Sequence, residues 1–139
     1  AYFGQKDAQQ LMVIRRLARD LRFPVEIIGC PIVREADGLA LSSRNVYLSP
    51  EERQQALSLS RGLRAAEAAW GDGMRDADAL RRCVREEIEA QPLADIDYVS
   101  LADAGTLGEL DGLVAPPALL SLAVRFGATR LIDNVVLGA

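Results

Sequence analysis

Two short polar clusters hold the residue types that could act on an anion. Gly4-Gln5-Lys6-Asp7 sets an ammonium and two further polar side chains behind a glycine, where a helical pattern begins. Leu41-Ser42-Ser43-Arg44-Asn45 sets two hydroxyls, a guanidinium and an amide just after the turn signal Asp37-Gly38. A helix N-terminus offers unpaired N–H groups and the positive end of a dipole. Lys6 adds a mobile cation, Arg44 a fixed charge with a fork of donors, and Ser42 and Ser43 add hydroxyls and amides. Gly4 lets the backbone come close to a ligand. Together these could hold a triphosphate and stabilise the charge that develops as pyrophosphate leaves.

Each feature also has a plainer explanation. Lys-Asp at a helix start is commonly surface capping, and a Ser-Ser pair after a turn commonly bonds its own backbone. Arg44 alone reads as solvent-exposed or ion-paired, Gln9 and Gln10 as helix surface, and Arg15, Arg16 and Arg19 as a solvated helix face. Cys30 and Cys83 read as core packing. Asp133-Asn134 fits a tight turn or a strand end, with no chemistry attached.

Composition removes several function classes. The 139 residues contain no histidine, which rules out a His general base, a Ser-His or Cys-His pair, and the commonest zinc ligand. A formal charge of −4 argues against a nucleic-acid or anionic-membrane partner, which would require surplus Lys and Arg. No apolar run approaches a membrane span. The two isolated cysteines fit a reduced, cytoplasmic protein.

The elements that must position the clusters follow from periodicity. Ala8, Leu11, Met12, Leu17, Ala18 and Leu21 predict a helix over 6–21, with Asp7 in its first turn. Val25–Cys30 predicts a strand, limited by Pro31. A helix followed closely by such a strand is the second half of a βαβ unit, and Phe3 reads as the tail of its first strand, so the chain looks like a fragment. The loop 34–48 comes next. Ser49-Pro50-Glu51-Glu52 is a capping-box start for a helix running to about Trp70, broken by Gly71-Asp72-Gly73. A second helix spans roughly 76–90. Strands follow at 96–101, 119–126 and 130–137, with Gly127-Ala128-Thr129 as a hairpin connection. The fold expectation is α/β plus α+β: an αβ piece over 1–33, then a small domain over 34–139 of helices packed on an antiparallel sheet.

In open parallel sheets, ligands bind beyond the carboxyl ends of the strands. The helix at 6–21 starts at that edge, and the loop after strand 25–30 emerges at the same edge. Topology therefore brings Gly4–Asp7 and Ser42–Arg44 together although they are distant in sequence.

Phe3-Gly4-Gln5-Lys6-Asp7 with Gln9-Gln10-Leu11, Arg34 through Asn45, and Arg130-Leu131-Ile132-Asp133-Asn134 together resemble signatures of the pantoate–β-alanine ligase (pantothenate synthetase) family, in the right order. The resemblance implies an ATP-dependent, AMP-forming ligase with a Rossmann-like nucleotidyltransferase domain. Pantoate would be activated by Mg-ATP (Mg2+ being the nucleotide's companion) to pantoyl adenylate, which β-alanine would convert to pantothenate. Residues 37–46 would be the KMSKS-like loop. Carried over by position, Gly4, Gln5, Lys6 and Asp7 would border ATP, Val33 would contact it through its backbone, and Leu41, Ser42, Ser43 and Arg44 would complete the phosphate clamp. Gln10 would bind pantoate, and the full-length enzyme would be a homodimer. The family's His-x-Gly-His motif and acidic metal-site residues have no counterpart here, so the resemblance implies the C-terminal half, inactive alone. Two other readings stay open: a stand-alone α+β binding or assembly module, and an adenylating ligase for another small hydroxy acid.

Overall fold

A computed structural model describes residues 1–139. Its chain is mixed α/β, with a two-stranded parallel sheet and a three-stranded antiparallel sheet. β1 (Tyr2–Gly4) pairs in parallel with β2 (Ile28–Cys30), and α1 (Ala8–Asp20) connects them. The predicted strand 25–30 is thus shortened to three residues, because β1 offers ladder partners only from Ile28 to Cys30. The predicted helix start also changes. Gln5–Asp7 form a 3-10 turn, and Asp7 (φ −92°, ψ 64°) interrupts the helical path as the N-cap residue of α1. Its carboxylate makes no capping hydrogen bond.

α2 (Pro50–Gly71) begins with the expected reciprocal capping box. Ser49 Oγ accepts from the Glu52 N–H at 3.1 Å, and the Ser49 N–H donates to Glu52 Oε1 at 2.8 Å. α3 (Ala77–Glu89) is capped by Asp76, whose carboxylate accepts from the Ala79 N–H at 2.9 Å. The two helices approach closely at Gly62, where a side chain would meet the Val84 backbone at 3.1 Å.

β3 (Ala94–Asp103), β4 (Ala118–Phe126) and β5 (Thr129–Leu137) form a meander in that spatial order. The β4–β5 turn is shorter than expected. Thr129 pairs with Phe126, leaving Gly127 and Ala128 as a two-residue connection with Gly127 at φ 62°. One sheet face carries Leu101, Leu120, Leu122, Val124, Phe126, Leu131 and Leu137 into a core with Leu59 and Leu63 of α2 and Leu80, Val84 and Ile88 of α3. Each such side chain, fully removed from water, contributes on the order of 1.5–3 kcal/mol before entropy is counted. Cys83 packs at the margin of this core, and Cys30 lies outside it; both are half-buried rather than core residues.

In α1 only Leu11 is buried. Of the apolar face that amphipathic spacing predicts, Ala8, Met12 and Ala18 are half-buried, while Leu17, and Leu21 just past the helix end, are at least half exposed, so the face is only partly covered. No helix is long and apolar enough to cross a membrane.

Candidate functional site

The loop between β2 and α2 is anchored at both ends. The Glu35 N–H donates to the Leu39 carbonyl at 2.8 Å, and the Gly38 N–H to the Glu35 carbonyl at 2.9 Å. This tight turn needs glycine at 38, where φ is 99° and a side chain would meet Arg64 Nη2 at 2.8 Å. Arg53, in the first turn of α2, ties the turn down through Glu35 (2.5 Å) and Asp37 (2.9 Å). Beyond it the Leu41 N–H donates to the Val33 carbonyl at 2.8 Å. Ser43–Tyr47 form a 3-10 turn, capped by Ser42, whose Oγ accepts from the Arg44 N–H at 3.2 Å.

The two polar clusters meet. Lys6 Nζ donates to the Leu41 carbonyl at 3.2 Å across a separation of 35 residues. Arg44 Nη1 donates to the Arg130 carbonyl at 3.1 Å, which lays the guanidinium along the outer edge of β5 and leaves the rest of its donor fork free. Lys6, Asp7, Ser42 and Arg44 line one depression of about 190 Å³ beside Arg130, Leu131 and Ile132. Lys6 is half-buried, and burial pushes its ammonium below the ordinary lysine value. Arg44 and Arg34 act in the same direction, while Asp133 and Asp7 oppose it. The site is therefore a cation pair with spare donors, one member partly stripped of water.

A second cleft of about 300 Å³ adjoins it, with Gln9 and Gln10 on one wall and Tyr98, Ser121 and Asn134 on the other. Gln10 is exposed to this cleft rather than packed away. Gly4 has open space where a side chain would stand, and its φ of −73° is accessible to any residue. Gln5 presents its carbonyl to Asn134 and lines a separate groove beside α1. Ser43 is exposed at the loop tip, and the Val33 carbonyl is committed to Leu41.

Two features lay beyond the expectations drawn from sequence. Asp133 and Asn134 are neither a turn nor a strand end; they sit inside β5, each 3% exposed. The Asp133 carboxylate takes two hydrogen bonds from Arg34, at 2.7 and 2.8 Å, and Arg34 also donates to the Gly38 carbonyl at 3.1 Å. Asn134 Nδ2 donates to the Gln5 and Lys6 carbonyls at 2.9 and 3.1 Å. The signal was present as an acid and an amide breaking an otherwise apolar strand, where buried polar groups need partners. The second feature is a bulge at Asp97, where Ile96 pairs with Val124 but Tyr98 with Ala123. It turns Tyr98 toward the cleft, 5.9 Å from the Arg130 guanidinium, and Asp97 accepts from Arg130 Nε at 2.8 Å.

No three His, Cys, Asp or Glu side chains cluster closely enough to hold a metal ion. Asp133 is committed to Arg34, leaving Asp7 as the one carboxylate lining the depression beside Lys6 and Arg44. These side chains supply no all-protein metal cage.

A sequence profile described as pantoate-beta-alanine ligase matches residues 1–136. The chain belongs to the pantoate–β-alanine ligase family. The pantothenate synthetase of Roseiflexus sp. (strain RS-1) is 62% identical over 139 residues, covering 100% of this chain and 50% of that protein. The crystal structure of pantothenate synthetase from Thermus thermophilus superposes with a TM-score of 0.89 at 50% identity, over 97% of this chain and 48% of that one. A pantoate-beta-alanine ligase from Francisella tularensis, solved in complex with beta-gamma ATP and beta-alanine, superposes with a TM-score of 0.63 at 27% identity. That match covers 97% of this chain and 42% of the other. The chain thus spans about half the length of the family members it matches.

Proposed function

We propose that this chain is the C-terminal half of a cytoplasmic ATP-dependent ligase that joins pantoate to β-alanine, and that the depression between Lys6 and Arg44 holds the ATP phosphates. The observation that carries the reading is the convergence of Lys6 and the Ser42–Arg44 loop on one site, marked by the Lys6–Leu41 hydrogen bond. The β1–α1–β2 unit is then the last piece of a Rossmann-like nucleotide domain. Residues 34–139 form the small domain, and 37–46 are its KMSKS-like phosphate loop.

In this reading the pantoate carboxylate attacks the α-phosphorus, the bond to the β-phosphate oxygen breaks, and pyrophosphate leaves. Charge accumulates on the departing oxygens, where Lys6 and the free donors of Arg44 neutralise it and the Ser42 and Ser43 hydroxyls add hydrogen bonds. Lys6 Nζ has three donors and gives one to Leu41, so it can meet phosphate without leaving the loop. Gln10 faces the adjoining cleft and fixes pantoate there. The amine of β-alanine then attacks the acyl carbon, and AMP departs as the amide bond forms. No protein nucleophile is needed; orientation and charge neutralisation carry the reaction. The exposed Val13 and Leu17 of α1 fit a missing packing partner, and on this reading the isolated chain is inactive and the full-length enzyme dimeric.

The experiment is isotope exchange between pyrophosphate and ATP in the full-length protein. Exchange should require pantoate and proceed without β-alanine, and complete turnover should release AMP. Pantothenate formed with release of ADP and phosphate would refute the adenylate route, and exchange with a different hydroxy acid in preference to pantoate would reassign the substrate.

A further inference from the structure

β5 is an edge strand, and consecutive strand residues point to opposite faces. At Asp133 and Asn134 this alternation serves two clients at once. Asp133 turns toward the loop, and its side chain, 2% exposed, receives the Arg34 fork. Arg34 closes the base of the loop through the Gly38 carbonyl. Asn134 turns the other way and holds the carbonyls of Gln5 and Lys6. Its amide orientation is fixed by those two bonds, since a flip would set Oδ1 against two carbonyl oxygens. Oδ1 itself is buried without a partner. Four positions earlier on the same strand, the Arg130 carbonyl receives Arg44.

The loop base, the loop tip and the Lys6 turn are therefore all fastened to one short length of β5, and Lys6 ties the turn back to the loop at Leu41. Such a closed circuit of bonds transmits displacement because each member is held at two points. We infer that Asp133 and Asn134 are positioning residues, and that the edge of β5 is a latch that makes the Lys6 turn and the phosphate loop one mechanical unit, so that loosening either loosens both. Its value for catalysis rests on the phosphate-clamp reading; the mechanical coupling does not.

Hydrogen–deuterium exchange of the full-length protein tests the latch without substrate. In Asn134→Ala, amides of residues 41–46 should exchange faster by about five-fold or more, alongside residues 5–12, although Asn134 bonds to nothing in the loop. In Arg34→Lys, which keeps the charge and loses the fork, residues 5–12 should exchange faster by a similar factor, although Arg34 bonds to nothing there. Amides of α3 should be unchanged in both variants. Loosening confined to each residue's own partners overturns the latch, and so does a rise in α3 that keeps pace with the clamp. A kinetic readout complements this. Asn134→Asp is isosteric but cannot donate to two carbonyls, so it should raise KM for ATP about ten-fold while lowering kcat less. An Asn134→Asp enzyme with unchanged KM for ATP overturns the positioning role. If the unmutated protein shows no pantoate-dependent exchange, the functional reading fails while the deuterium comparison still decides the latch.

Discussion

Arg34→Ala is expected to cost about 3 kcal/mol of folding free energy. The reason lies in Asp133, whose side chain is 2% exposed while that of Arg34 is 28% exposed. Removing the guanidinium strips a buried carboxylate of its two-bonded partner, leaving the Asn134 N–H and the more distant Lys6 ammonium to stabilise it, and opens the base of the 34–48 loop at Gly38. An ordinary exposed pair such as Arg16–Asp20, at 3.7 Å with both side chains mostly in water, should contribute less than about 1 kcal/mol. The paired variant Arg34→Met with Asp133→Leu removes both charges and fills the space. It should recover more than half of the single-variant loss, since the penalty comes from the unpaired charge rather than from a missing bond. Denaturant midpoints of the three proteins measure this. An Arg34→Ala midpoint equal to the unmutated one would show that Asp133 finds other solvation and that the pair is decorative.

Lys6→Gln should lower the rate of pantoate-dependent pyrophosphate exchange by about 10²–10³-fold, the loss typical of removing one preorganised charge-stabilising donor. Glutamine keeps nearly the length of the side chain and can still donate to the Leu41 carbonyl, so the loop should stay in place while the charge disappears. The wild-type protein should also show a pH signature. Burial lowers the Lys6 ammonium from its ordinary value, so the positive charge is lost as pH rises through that lowered value. ATP affinity should therefore fall on the alkaline side at a lower pH than a free lysine would give. Lys6→Gln should remove that limb, and Lys6→Arg should carry it upward. An alkaline limb unchanged in Lys6→Gln would assign it to another group.

Much of this arrangement was legible in the residues themselves. The Ser49–Glu52 capping box, the two amphipathic helices and the antiparallel meander are local patterns, and local patterns dominate where a strong face repeats. The convergence of Lys6 with Ser42–Arg44 was legible from topology, because a helix between parallel strands returns both loops to one edge. What escaped was set by tertiary partners. Val25–Ile27 look like strand, but β1 supplies no ladder there. Asp7 leaves the helical path where Asn134, far along the chain, holds the preceding carbonyls. Asp133 and Asn134 read as a break because charge inside a strand resembles a turn. Only the distant Arg34 and Gln5–Lys6 turn them into a buried junction. The Asp97 bulge leaves no mark in a sequence that alternates apolar and polar on either side of it.

Whether Lys6 and Arg44 grip one triphosphate is read out by a crystal structure of the full-length protein with a non-hydrolysable ATP analogue. Phosphate oxygens should lie within hydrogen-bonding reach of both Lys6 Nζ and the Arg44 guanidinium, with Asn134 still bonded to the Gln5 and Lys6 carbonyls. A triphosphate held by neither cation, or lying outside the depression they line, would contradict that grip.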